Sequence, residues 1–236
     1  MNVLVIVVAI VGLFMVLLPG PLYKFELLDL HPAFTCLRWG VCVGISALVL
    51  LIVQALFVRK TMRAGTTIAT LVSVLISVGI PLHLMQTGRS VPPIHDITTD
   101  VNMPPAFVGV LPARSGAINP PDYDGDEVAS QQKEAYPDIK TQVFQADFET
   151  VSMAAQAVID DLGWTLVTQN TRPNTLEATH TSFWFGFKDD VVVRFTQQGT
   201  KTLVDIRSKS RVGRSDLGAN AERIRAFQSK LKERLE

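Results

Sequence analysis

The stretch Arg207–Phe227, RSKSRVGRSDLGANAERIRAF, gathers five arginines and one lysine, with serines and two glycines, into the start of an amphipathic run. Guanidinium forks are planar donors suited to carboxylate or phosphate. Glycine admits close backbone approach, and a helix N-terminus adds free N–H groups and partial positive charge. That is the chemistry of an anion pocket. Two acids in the upstream run FGFKDDVVVRF, Asp189 and Asp190, would hold the arginines in place. The candidate anion- or ligand-binding residues are Asp189, Asp190, Arg194, Arg207, Ser208, Ser210, Arg211 and Asn220. A second arrangement needs no ligand: Asp190–Arg207 and Asp216–Arg211 would satisfy each other and lock the last helix to a sheet. Both remain open at the level of residue types.

Signals for catalysis are thinner. His95-Asp96 in PPIHDITTD has the chemistry of an acid/base pair, with Ser90 or Ser210 as a nucleophile, which would make a hydrolase. Yet the chain has neither a GxSxG elbow nor an HExxH helix. His180 is in phase with Leu176 and Ala178, which places it in a core or at its margin. No two histidines stand at metal-ligand spacing. DYDGDE, Asp122–Glu127, fails as an EF-hand: position six is Glu127 and position twelve is Lys133. It reads as a solvated acidic turn. No catalytic residue, metal or cofactor is assigned.

The elements that must position these residues begin after Thr141. Gln142–Asp147 reads as a strand. Glu149–Leu162 reads as a helix with Val151, Ala155, Val158 and Leu162 on one face and Gly163 as its stop. Four strand-like runs follow: Trp164–Asn170, Thr175–Phe185, Asp190–Gln197 and Lys201–Ser208. Short turns make them antiparallel neighbours. A last helix, capped by Asp216, buries Leu217, Ile224, Phe227, Leu231 and Leu235. The fold class is α+β, in the order β-α-β-β-β-β-α, with an antiparallel sheet. Counting about the Gln198–Gly199 turn places Asp190 opposite Arg207 and Asp189 opposite Ser208. Ahead of this domain (141–236), residues 86–140 hold eight prolines and no hydrophobic period. They read as an extended arm, part of it ordered against the domain because its apolar residues are too many for a spacer.

Residues 1–85 read as a membrane anchor. Asn2–Leu18, Gly40–Val58 and Gly65–Leu84 are apolar and near spanning length, at or above roughly 17 residues. None carries an Asp, Glu, Lys or Arg in its interior, so no ion pathway is expected. Asn2–Leu18 lacks a basic flank and a small-residue cleavage site, unlike a signal peptide. Arg59, Lys60 and Arg63 lie in the short loop between the second and third runs, which sets that loop inside and the C-terminal domain outside. Thr66, Thr67, Thr70, Ser73 and Ser77 would suit contact with another helix, and the transmembrane helices offer a contact to another membrane protein. The chain has 22 bases and 22 acids, but residues 86–206 hold eight bases against 16 acids and residues 207–236 nine against four. An acidic body with a basic last helix points to pairing within the domain and away from nucleic acid. The only cysteines are Cys36 and Cys42, so the C-terminal domain has no disulfide framework.

GRSVPPIHDITTD, FGFKDDVVVRF and DIRSKSRVGRSDLGANAERIRAF, in this order, resemble the bacterial and plastid family catalogued as domain of unknown function 1499, over roughly 88–231. The resemblance implies a membrane-attached envelope protein and transfers no catalytic role. The expected protein is a multi-pass inner-membrane protein with an extracytoplasmic binding or interaction module, its ligand an anionic small molecule or lipid headgroup. The alternative is a lipid or small-anion carrier, with a cavity lined by Val191, Val193, Val204, Ile206 and Phe227.

Overall fold

The computed structural model describes residues 2–167 and 172–236. The chain forms two compact units: Met1–Thr87 with Phe183–Gly186, and Gly88–Ser182 with Phe187–Glu236.

In the first unit, α1 (Asn2–Leu17) runs through a short α2 (Pro19–Lys24), followed by α3 (Leu30–Phe57) and α4 (Ala64–Ser90). Three stretches, Asn2–Lys24, Leu30–Phe57 and Ala64–Ser90, are long and apolar enough to cross a membrane. α3 starts ten residues before the expected Gly40. Pro32 falls in its first turn, where its missing N–H would have had no intrahelical partner, so the helix absorbs what read as a loop. Glycines let the helices approach closely. A Cβ on Gly12 would stand 2.9 Å from the backbone N of Gly44, and one on Gly44 would collide with Ser77 Oγ. Thr70, Ser73 and Ser77 are buried. These three members of the small-residue face are therefore in the protein's own helix packing, the contact with another helix that their size suits.

The second unit is α+β. Its six-stranded antiparallel sheet comprises β1 (Asp96–Thr98), β2 (Gln142–Phe144), β3 (Thr165–Val167), β4 (Thr175–Thr181), β5 (Lys188–Gln198) and β6 (Lys201–Ser210). The order is β1-β6-β5-β4-β3, with β2 also on β6. Its helices are α5 (Asp126–Ala135), α6 (Phe148–Asp161) and α7 (Ala219–Leu235). Asp147 caps α6 by accepting from Thr150 N at 2.8 Å. Val151, Ala155, Val158 and Ile159 recur at helical spacing and are buried. They pack with Ile224, Phe227 and Leu231 of α7 on Val191, Val193, Phe195, Val204 and Ile206 of the sheet. Trp164 stacks on Phe227 with ring centroids 5.9 Å apart.

Several expectations are corrected here. Residues 86–140, read as lacking elements, carry β1 and α5. β1 is too short to show a period and is held as a strand by pairing with β6 at Asp96↔Lys209 and Thr98↔Arg207. The register about Gly199 slips by two. Gln198 pairs with Lys201, leaving a two-residue turn in which Gly199 takes φ +61°. Asp190 therefore faces Lys209 rather than Arg207, and Asp189 faces Ser210 rather than Ser208. A slip of two preserves faces, so the side of the sheet was read correctly and the partners were not. β4 ends at Thr181, not Phe185. The expected strand Trp164–Asn170 appears as Thr165–Val167, and its residues 168–170 lie outside the described ones.

Candidate functional site

Strand alternation divides the eight candidate residues. On β5 and β6, Val191, Val193, Val204, Ile206 and Ser208 face α6 and α7, whereas Asp190, Val192, Arg194, Asp205, Arg207 and Lys209 face the opposite side. Asp189, Ser208, Ser210 and Asn220 meet on the helix side. Asp190, Arg194, Arg207 and Arg211 meet on the other, beneath a roof formed by residues 99–124. The sheet stands between the two sets.

Under the roof, Arg207 is 2 % exposed. Its Nε and Nη2 donate to the two oxygens of Asp96 at 2.8 and 2.7 Å. The remaining donors reach the carbonyls of Pro105 and Pro121 at 3.2 and 3.0 Å. Phe107 and Tyr123 lie against its guanidinium, 4.8 and 5.4 Å from the ring centroids. Burial pushes the Tyr123 phenol up to about 12, with the Asp96 charge adding to the rise. Lys209, fully buried, lies 3.2 Å from Asp96 and 2.7 Å from Asp124, and donates to the Asp122 carbonyl at 2.6 Å. The acidic turn that read as solvated thus supplies ligands to a buried ammonium. Asp190 accepts from Arg114 at 2.6 Å, from Arg211 at 2.8 Å on each oxygen, and from Thr179 at 2.7 Å. Arg194 bridges Asp100 and Asp205 at 2.9 and 2.7 Å. Burial would push Asp100 up, but N–H donation from Met103 and Asn102 together with Arg194 holds it below the usual carboxylate range. Glu177 of β4, also fully buried, accepts from three consecutive backbone N–H groups, those of Val108, Gly109 and Val110, at 2.9, 2.9 and 3.0 Å.

On the helix side, Arg223 of α7 donates to Asp189 at 2.7 Å and to Ser208 Oγ at 3.1 Å. Ser208 donates to Asn220 Oδ1 at 2.6 Å, and Asn220 Nδ2 donates to Ser210 Oγ and the His95 carbonyl, each at 3.0 Å. Burial would raise Asp189, but His180, 3.8 Å away, and the Arg223 charge hold it low. Asp216 caps α7 from two residues ahead of Gly218, accepting from Gly218 N and Asn220 N at 2.8 and 2.9 Å. Burial raises it despite those bonds. The expected Asp216–Arg211 pair is not made, because Arg211 turns to Asp190.

The rival chemistries find different surroundings. Asp96 is bonded to Arg207 and Lys209, while the His95 ring lies between Asp124 (3.3 Å) and the Arg214 carbonyl (3.3 Å). The two do not form an acid/base pair. The five residues expected to line a carrier cavity are each at most 1 % exposed and packed in the core. A shallow cavity of about 260 Å³, lined by Thr99, Val101, Gln132, Lys133, Tyr136 and Ile139 among others, lies apart from all eight candidates.

The sequence profile of a family described as protein of unknown function, DUF1499, matches residues 96–231. The chain belongs to this family. No curated protein matches it. The DUF1499 segment opens at Asp96, the acid on Arg207, and closes at Leu231 in the core face of α7. It holds the roof, the sheet and α7, and leaves the three apolar helices outside.

Asp96, Arg114, Glu177, Asp205, Lys209 and Arg223 complete the two networks but were not among the eight binding candidates, Asp96 having a place only beside His95 in the hydrolase reading. A signal for two of them, Asp205 and Lys209, was present. Asp205-Ile-Arg-Ser-Lys209 alternates charge with apolar or small residues, which marks a sheet face whose charges need counterparts from elsewhere.

Proposed function

We propose that the protein is held by its three apolar helices in a bacterial inner membrane and presents its DUF1499 unit on the extracytoplasmic side as a non-catalytic interaction module. The carrying observation is a polar interior closed on itself, in a chain that also has three helices fit to cross a bilayer. Each candidate cation is already matched: Arg207 by Asp96, Arg194 by Asp100 and Asp205, Arg211 by Asp190. Such a network makes a stiff body whose outer surface, rather than an internal pocket, meets partners. Orientation rests on Arg59, Lys60 and Arg63, which crowd the connection between α3 and α4 with no acid beside them. A reporter active only outside the cytoplasm, fused after Glu236, is expected to be active. Activity of a cytoplasm-only reporter there would overturn the orientation.

One observation favours a small-anion site as a second reading. Asp190 is shared by two guanidiniums, and Nε of Arg114 is buried without a hydrogen-bond partner. Phosphate or sulfate should then raise the melting temperature of the intact protein by mass action, and Arg211→Ala should abolish the rise. An unchanged melting temperature across both anions would remove this reading.

A further inference from the structure

The helical unit includes four residues distant in sequence, Phe183–Gly186. Phe185 stacks on Phe34, centroids 5.7 Å apart, and tilts against Tyr23 at 6.0 Å. Trp184 sits edge-on to Phe185 and donates its Nε1–H to the carbonyl of Leu17, the last residue of α1, at 3.0 Å. Gly20 makes room for the indole: a Cβ there would come within 2.7 Å of Nε1. Lys24 donates to the Phe183 carbonyl at 2.9 Å and holds its ammonium 5.5 Å from the Phe183 ring. With so much fixed around it, the Phe183 ring itself is 92 % exposed. Leu18, Phe25 and Leu27 are exposed nearby in sequence.

We propose that Phe183, with Trp184, Tyr23 and Lys24, is an interfacial anchor whose occupant is the lipid bilayer. Lys24 is the first charged residue of the chain and marks where the first apolar stretch leaves the hydrocarbon. Tryptophan and tyrosine collect at that depth because one end of each ring system is apolar and the other hydrogen-bonds. A lysine beside them keeps its ammonium among the phosphates while its stem lies along apolar groups. A benzyl group held in this setting and exposed over nearly all its surface fits the boundary between headgroups and acyl chains. Leu18, Phe25 and Leu27, near Lys24 in sequence, are further exposed apolar side chains at this end of the first apolar stretch.

This rests on the membrane reading above, and the test separates the two. The full chain, with Cys36→Ser and Cys42→Ser, is spin-labelled at Phe183→Cys, at Leu75→Cys in the exposed middle of α4, or at Thr200→Cys in the β5–β6 turn. Each form is placed in vesicles of phosphatidylcholine and phosphatidylglycerol. Collision with oxygen, which enters lipid, is compared with collision with a water-soluble nickel chelate. The label at 183 is expected to favour oxygen several-fold over the label at 200, as the label at 75 does. A label at 183 that matches the one at 200, with 75 still shielded from nickel, overturns the anchor and leaves the membrane reading standing. Nickel access at 75 overturns both.

Discussion

Replacing Asp96 by Asn should be among the most damaging single changes in the DUF1499 unit. It leaves two buried cations, Arg207 and Lys209, facing a neutral amide, with Asp124 as the remaining carboxylate on Lys209. Breaking one side of a buried pair costs about 3–5 kcal/mol, a large share of the roughly 5–15 kcal/mol that holds a domain together. For a unit of this size that is a fall of about 6–20 °C in melting temperature. Arg207→Met should fall at the lower end, because Lys209 still neutralises Asp96. The double variant should recover much of the loss, giving an interaction energy of about 2–3 kcal/mol. Asp190→Asn in the same cycle with Arg207→Met should couple by less than about 1 kcal/mol, since Asp190 binds Arg114 and Arg211 and has no hydrogen bond or ion pair to Arg207 among the described residues. Thermal unfolding of the detergent-solubilised chain, followed by circular dichroism, reads all of these. Stronger coupling to Asp190 than to Asp96 would refute both the register and the pairing.

Glu177→Gln keeps one carbonyl oxygen for Val108 and Gly109 but sets an NH2 against the Val110 N–H, costing about 1.5–3 kcal/mol; hydrogen exchange should quicken most at Val110 while the β5 amides stay protected. Gly12→Val should force α1 from α3 and lower the stability of the helical unit by about 1–3 kcal/mol or more, whereas Gly65→Val, with nothing within 4 Å of its Cβ position, should change it far less. Asp189 and Asp100 bind protons less readily folded than unfolded, so their contribution is present above about pH 4 and is lost as pH falls through their lowered folded-state values. Asp216 runs the opposite way, its contribution present below about pH 4 and lost as pH rises through its raised value. Asp189→Asn should flatten the acid limb of a pH–stability profile, and an unaltered limb would contradict the direction of its shift.

The antiparallel sheet, α6 and α7 were legible because their signals are local: alternation in VVVRF, helical spacing in Val151, Ala155 and Val158, and Gly199 in a turn. The faces of β5 and β6 were legible for the same reason. The partner of Arg207 was not. Asp96 lies 111 residues away in a three-residue strand that has no period of its own, amid prolines that break every other pattern. The roof is held by side chains reaching backbone, as when Glu177 collects three N–H groups, and no spacing rule connects such groups. The two-residue slip came from centring the turn on Gln198–Gly199 rather than on Gly199–Thr200, an error invisible to a face pattern of period two.

The distance in sequence between Asp96 and Arg207 sets an order of events during synthesis. The roof segment leaves the ribosome before any of the strand that carries its counter-charges exists. At about 5–20 residues per second, the interval between making Asp96 and making Arg207 is roughly 6–22 s. Until β6 is made, Asp96 and Asp124 lack Arg207 and Lys209; the 108–110 backbone waits for Glu177, and Phe107 and Val110 wait for Val192 of β5. The sheet closes over β6 only after every other strand has been made. A nascent chain of this design keeps its roof open until β6 appears, and loss of β6 would leave a water-soaked fragment rather than a smaller folded one.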